Sequence, residues 1–213
     1  IWSVSQNQRW LVGLLPDGSS VLYDLGRPSQ AQSLPDHVAV VGYAAFSPDN
    51  RWLAYATSNN EIRLWDLAAN RVKAVLKGHR RRVHTVCFSP DGAWLASGGR
   101  DGEVWLWSVN PAKPLLATPL KGHMGTANTV VFSSDKRTLA TFGRDQTMRW
   151  WSAATGREML SFPSEPHWAA EPLLDFPAPG SSTSRLLLFY ERPGQVRVTT
   201  VPSLAEIDAA EQA

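Results

Sequence analysis

The chain has 213 residues, 43% of them hydrophobic and 19% charged, with a formal net charge of +2. That balance excludes a disordered chain and allows one large all-β domain or two smaller ones. No apolar run approaches the roughly 18 residues of a membrane span, and a pI near 8.9 is too mildly basic to argue alone for nucleic acid.

In chain order, a block beginning Val4-Ser5-Gln6-Asn7 is followed by Trp10 and Tyr23, and Phe46-Ser47-Pro48-Asp49 by Trp52 and Trp65. Phe88-Ser89-Pro90-Asp91 is followed by Trp94 and Trp107, and Phe132-Ser133-Ser134-Asp135 by Thr138 and Trp151. The blocks return at intervals of 42 to 44 residues, the period of a propeller blade. Within a period, short runs rich in Val, Trp, Leu and Phe predict strands: Val72–Leu76, Val83–Phe88, Trp94–Ser97, Glu103–Val109 and Leu115–Leu120. Ser89-Pro90-Asp91-Gly92 and Arg100-Asp101-Gly102 between them are turn chemistry. Four strands per period make one blade. Histidines give an independent check: His37, His79, His123 and His167 each stand nine residues ahead of Phe46, Phe88, Phe132 and Phe176, and only His84 falls outside the slot. The last of these marks a degenerate fifth unit with strands at Arg185–Tyr190 and Gln195–Val201, Thr199 near the tryptophan slot and a long loop, Pro177–Ser184. Pro202-Ser203-Leu204-Ala205-Glu206 reads as a capping box for a short terminal helix, with a fourth strand as the alternative.

Gly78-His79 ahead of Trp107, Gly122-His123 ahead of Trp151 and Trp65-Asp66 closing an earlier unit resemble the WD-repeat β-propeller family. The wording Phe-Ser-Pro-Asp-Gly-Ala-Trp-Leu-Ala-Ser-Gly-Gly-Arg-Asp-Gly is similar to bacterial members. The resemblance implies an all-β propeller of about five four-stranded blades, approximately 1–34, 35–76, 77–120, 121–162 and 163–213. Such rings most often close with seven blades, roughly 300 residues. The expectation is therefore that this chain is part of a larger ring, that another chain or segment completes it, and that the isolated chain self-associates through its open edges. Ile1 is expected not to be a native N-terminus, and no signal-like segment stands there. The lone Cys87, in the apolar run Val86-Cys87-Phe88, reads as a small core residue in reducing surroundings, which favours a cytoplasmic protein.

Ser97, His79 and Asp101 in one repeat, and Thr141, His123 and Asp145 in the next, have the composition of hydrolase triads. The resemblance instead implies structural tetrads completed by Trp107 and Trp151, in which Trp donates to the hydroxyl, the hydroxyl to His and His to Asp. A set repeated blade after blade without a Gly-x-Ser-x-Gly elbow argues against catalysis, so no enzyme is expected. The second unit departs from the pattern, with His37, Tyr55, Asn59 and Trp65 in the four slots, leaving at most a His–Asn contact. No close-spaced ligand pair, phosphate loop or dinucleotide motif appears, so no metal or cofactor is expected.

Six tryptophans fill the repeat slots and read as core, as does Trp150, which aligns with Leu64 and Leu106; Trp2 and Trp168 have no assignment. Trp105 aligns with Arg63 and Arg149 and is either a packed blade-edge ring or a partner contact. Arg80, Arg81 and Arg82 follow Gly78-His79, while Arg100 and Arg144 precede the two tetrad aspartates. The resemblance places these loops on one face around the channel mouth, as a solvated rim or an anion-binding surface. Aromatic interleaving for base stacking is absent, so a protein partner with an acidic or phosphorylated surface is expected rather than nucleic acid or membrane. The functional expectation is a non-enzymatic interaction platform or sensor propeller within a larger protein or complex. The alternative is the regulatory half of a bacterial signalling enzyme (kinase, protease or NTPase) whose catalytic domain lies outside this chain.

Overall fold

A computed structural model describes residues 3–15, 17, 19–27, 31–35, 44–109, 117–133, 135–163, 173–175, 187–192 and 195–197. The first sheet holds β1 (Ser3–Val4), β2 (Trp10–Leu14), β3 (Ser20–Asp24) and β4 (Ala31–Ser33). The second holds β5 (Ala44–Phe46), β6 (Trp52–Ala56), β7 (Ile62–Asp66) and β8 (Arg71–Leu76). The third holds β9 (Val83–Phe88), β10 (Trp94–Gly99), β11 (Glu103–Ser108) and β12 (Ala117–Lys121). The fourth holds β13 (Ala127–Phe132), β14 (Thr138–Gly143), β15 (Thr147–Ser152) and β16 (Glu158–Pro163). A three-stranded sheet follows, of β17 (Leu173–Asp175), β18 (Leu187–Arg192) and β19 (Gln195–Arg197). Each sheet is an antiparallel meander whose neighbours in sequence are neighbours in space. No helix occurs among the described residues. The innermost strands β1, β5, β9 and β13 lie side by side in order, so the sheets are blades of a propeller whose ring is not closed within this chain.

The turns show why the sequence repeats. In the third blade the Ser89 hydroxyl donates to Asp91 Oδ1 and accepts from the backbone N–H of Trp94, while Asp91 also accepts from the N–H of Ala93. The same device recurs with Ser47, Asp49 and Trp52 and with Ser133, Asp135 and Thr138. In the weak first block Asn7 does the work of the aspartate for Ser5 and Trp10. One residue of each turn takes a left-handed backbone: Gln8 (φ 56°), Asn50 (57°), Gly92 (69°) and Lys136 (66°). Only the glycine adopts it without steric cost; at Gln8 and Lys136 the serine–acid clamp on either side holds it.

The strands lack clean alternation because they are covered on both faces. Every residue of β6 is buried, and its odd and even positions enter different cores. Leu53 and Tyr55 pack with Val12, Leu22 and Trp65 between the first and second blades. Trp52, Ala54 and Ala56 pack with Val86, Leu95 and Trp107 between the second and third. A third core, with Ala96, Leu106, Phe132, Leu139 and Trp151, joins the third and fourth. Trp52, Trp65, Trp107, Trp150 and Trp151 are core as the period predicts. Trp10 and Trp94 are not fully so: both stand where the turn opens into the strand, half-buried and packed against a core.

Cys87 is half-buried as a residue but packs against the third of these cores; desolvation pushes its thiol up to about 12, so it is no nucleophile at neutral pH. Of the fifth unit, β18 and β19 overlap the expected strands. His37, His167, Trp2, Trp168, Phe176, Thr199, the Pro177–Ser184 loop and the Pro202–Glu206 segment lie outside the described residues.

Leu95 is fully buried between two blades while Val75 on an outer strand is exposed. Leu95→Ala should therefore destabilise the chain by about 2–5 kcal/mol and Val75→Ala by less than about 0.5 kcal/mol. Urea unfolding of the two variants beside the parent tests this; equal costs would refute the inter-blade core.

Candidate functional site

Strand β10 carries Ser97 into the space between blades with no exposed surface. A hydroxyl there must find partners within the protein. Ser97 Oγ accepts from Trp107 Nε1 at 2.9 Å and lies 2.8 Å from His79 Nε2. On the other side of the ring, His79 Nδ1 lies 3.1 and 3.0 Å from the two Asp101 oxygens. Asp101 is held below the ordinary carboxylate range: burial pushes it up, and the bonds from His79, the Arg80 N–H and the Glu103 N–H together outweigh that. An ionised carboxylate can only accept, which fixes the direction of the chain. Nδ1–H donates to Asp101, Nε2 accepts from the serine, and the serine accepts from the indole.

The fourth blade repeats the chain with Thr141, fully buried, 2.9 Å from Trp151 Nε1 and 2.8 Å from His123 Nε2. His123 Nδ1 lies 3.1 Å from both Asp145 oxygens. Burial lowers the His123 pKa below its ordinary value, against the pull of Asp145. Asp145 is also lowered: burial acts against ionisation, and the Met124 N–H, His123 and Thr147 outweigh it.

The two blades brace their histidines differently. In the fourth, the Thr147 hydroxyl donates to Asp145 and lies 3.1 Å from His123 Nδ1. Arg149 reaches both Thr147 Oγ1 and Glu158. In the third, the Arg149 slot holds Trp105. Its ring stacks on Trp107 at 5.2 Å, meets His79 edge-on at 6.2 Å and donates Nε1–H to Glu103. One face of the Trp105 ring and its polar edge are thus engaged within the blade, while the residue stays half-buried.

Sequence reasoning missed Gly99 and Gly143, which precede Arg100-Asp101 and Arg144-Asp145. A Cβ at either position would overlap the adjoining histidine ring and aspartate carboxylate. The recurring tripeptide Gly-Arg-Asp was the available signal. The second blade has Thr57 in this slot, Tyr55 in the hydroxyl slot and an exposed Asn59 in the aspartate slot. The Tyr55 hydroxyl donates instead to the Pro35 carbonyl at 3.3 Å, and Trp65 Nε1 is buried without a hydrogen-bond partner among the described residues. Among the described residues no tetrad of the third-blade kind is formed there.

Each tetrad aspartate also reaches the surface loop above it. Asp101 Oδ2 accepts the N–H of Arg80 and Asp145 Oδ2 that of Met124, both at 2.8 Å. The turns between the second and third strands of these blades (strands b and c, here β10–β11 and β14–β15) are tied to the same loops by Arg100 N–H to the Arg82 carbonyl and Arg144 N–H to the Thr126 carbonyl, both 2.8 Å. Above them opens a cavity of about 510 Å³ lined by Arg80, Arg81, Arg100, Asp101, His123, Met124 and Gly125. Arg144 adjoins it, its Cβ packed over Gly125. Arg82 is half-buried and is not part of that lining; its carbonyl takes the Arg100 N–H. Met124, 94% exposed, was not singled out by the repeat, because it occupies the variable position after the tetrad histidine. Among the described residues no cluster of potential ligands could hold a metal ion, and no helix is long and apolar enough to cross a membrane.

Antiparallel four-stranded blades set side by side, two of them braced internally by Trp–hydroxyl–His–Asp chains, define a β-propeller of repeated units. The model of the WD domain, G-beta repeat, matches residues 28–66, 70–108 and 113–152, more than half of the sequence, and the chain belongs to this WD40 family. No curated protein matches this chain. Among solved structures 1432 chains match, which marks a widespread fold rather than a particular role. One, in "Crystal Structure of Mitotic Checkpoint Complex", has a TM-score of 0.69 at 21% identity over 93% of this chain. This chain spans 63% of that one's length, and at such identity the likeness is one of fold.

Replacing His79 by Ala leaves Ser97 and Asp101 without their shared partner and should cost about 1–3 kcal/mol. An unchanged thermal midpoint would show that the tetrad carries no stability. The pH dependence follows from signs alone. His123, Asp101 and Asp145 all have folded-state pKa values lowered from their ordinary 6.5, 3.8 and 3.8, so the unfolded chain binds more protons as pH falls. Their contribution should be complete above 6.5, begin to decline as His123 meets that value, and decline further below 3.8. Melting temperature against pH tests this; a flat profile across 6.5 contradicts the His123 environment.

Proposed function

We propose that the chain is a non-enzymatic protein-interaction platform within a larger protein or complex, and that it binds through the arginine rim above the third and fourth blades. The observation that carries the reading is the open cavity at which Arg80, Arg81 and Arg100 meet, with Arg144 beside it. Their guanidinium groups are exposed, and no carboxylate pairs with them among the described residues. Guanidinium presents a planar fork that grips carboxylates or phosphates by two bonds, which lysine does not reproduce.

The triad-like sets do not compete with this reading. Ser97 and Thr141 have no exposed surface, and each hydroxyl is held between an indole and an imidazole. A nucleophile needs access to substrate and an oxyanion site beside it. The roles of His79, Ser97, Asp101 and Trp107, and of His123, Thr141, Asp145 and Trp151, are then to fix the loops that present the arginines. A cytoplasmic location belongs to the same proposal, supported by the unpaired thiol of Cys87.

The experiment compares partner capture by the parent and by the double variant Arg100→Ala/Arg144→Ala, with crosslinks mapped by mass spectrometry. Partners should crosslink to the rim loops, dissociate as salt rises and be lost from the double variant. Partners whose capture ignores both salt and the double change would place the binding face elsewhere.

A further inference from the structure

The rim cavity gathers several cations with no paired carboxylate among the described residues. Arg9 pairs with Asp24, Lys77 with Glu61, Lys136 with Asp91 and Arg149 with Glu158, at 2.8 to 3.3 Å. Arg80, Arg81 and Arg100 have no such partner among the described residues. Asp101, the acid in the cavity lining, is turned inward to His79 and to the backbone N–H groups of Arg80 and Glu103. His123 presents no compensating negative charge, and burial disfavours its protonation. Three arginines stand against the one ionised carboxylate of Asp101, so the lining keeps a net positive charge.

Among these cations stands Met124, almost wholly exposed although its backbone is pinned by Asp145. A fixed backbone beneath a free thioether offers an adaptable apolar contact in a polar setting. The positive charge is also spread. Arg80 and Arg81 come from the loop before β9, Arg100 from the turn after β10, and Arg144 from the corresponding turn of the next blade. A single phosphate concentrates its charge at one point. An extended peptide distributes carboxylates along a line, one residue every ~3.3 Å, which suits cations contributed by loops of two blades. A cavity of about 510 Å³ accommodates a short segment of this kind.

We propose that this cavity binds an extended acidic segment of a protein partner in which an aliphatic or aromatic side chain stands between carboxylates. The arginines grip the carboxylates, and the apolar side chain covers Met124. The inference rests on the rim being the protein-binding face and adds the chemistry of the occupant.

The test measures fluorescence anisotropy of short labelled synthetic peptides with the 213-residue chain. One peptide alternates Glu with Leu, a second replaces each Leu by Ser, and a third carries one phosphoserine in place of the glutamates. The Glu/Leu peptide should bind most tightly. Its affinity should fall with added salt and by about tenfold in Arg100→Ala/Arg144→Ala, the loss of roughly one charge-assisted contact. Met124→Gln, an exposed change that leaves the tetrads intact, should weaken the Glu/Leu peptide by about threefold and leave the Glu/Ser peptide unchanged. Equal affinity for these two peptides, or indifference to Met124→Gln, overturns the acidic–apolar occupant while the rim reading stands. A phosphoserine peptide that binds most tightly overturns it in favour of a phosphate ligand at the same rim. Binding that responds to neither salt nor the double arginine change overturns the occupant and the rim together.

Discussion

Everything on the rim depends on one constraint: a strand covered on both faces has nowhere to send a polar side chain except into its neighbours. Ser97 and Thr141 stand on such strands, and their burial would be costly if their hydroxyls were left unpaired. The indole on strand c and the imidazole on the incoming loop satisfy them, and the imidazole's remaining N–H requires an acceptor, which the turn aspartate supplies. The chain does not stop there. The same aspartate takes the backbone N–H of Arg80 or Met124, so the requirement of a buried hydroxyl ends by fixing the first residue of the exposed rim. A network with every member paired stiffens what it touches.

The family repeat and the blade are out of phase, which matters for stability. The matched stretch 70–108 begins one residue ahead of β8, the outer strand of the second blade, and ends in β11 of the third. Each repeat thus joins two sheets covalently, while the apolar cores lie between sheets rather than inside them. No blade has a core of its own. Stability is a sum of nearest-neighbour terms, and a defect at one interface weakens the two blades that share it.

What could be read from the sequence was what the chain specifies locally or by period. The serine–acid turns are made within a few residues, so Ser89-Pro90-Asp91 announces its own geometry. The tetrads were legible because a fixed period brings His79, Ser97, Asp101 and Trp107 to one place once the meander is assumed. Features that the residue types themselves do not advertise were not legible. Trp105 is packed because Trp107 and Glu103 happen to receive its ring and its N–H. Arg82 is half-buried although Arg80 and Arg81 beside it are exposed. Lys136 and Gln8 adopt left-handed backbones that their residue types do not advertise, and Met124 is exposed in a slot whose counterpart is Arg80.

The described residues of the second blade hold no tetrad. Thr57 stands where the third and fourth blades have Gly99 and Gly143, positions at which a Cβ would overlap the histidine–aspartate pair. Tyr55 turns to the Pro35 carbonyl, and the indole N–H of Trp65 finds no partner among the described residues. The same turn reads Ser58-Asn59 instead of Arg-Asp, so loss of the internal brace coincides with loss of the external cation. A guanidinium on a turn whose backbone is already held has less conformational freedom left to lose on meeting a partner. Arg100 and Arg144 stand on such turns, each between a glycine and the aspartate of a tetrad.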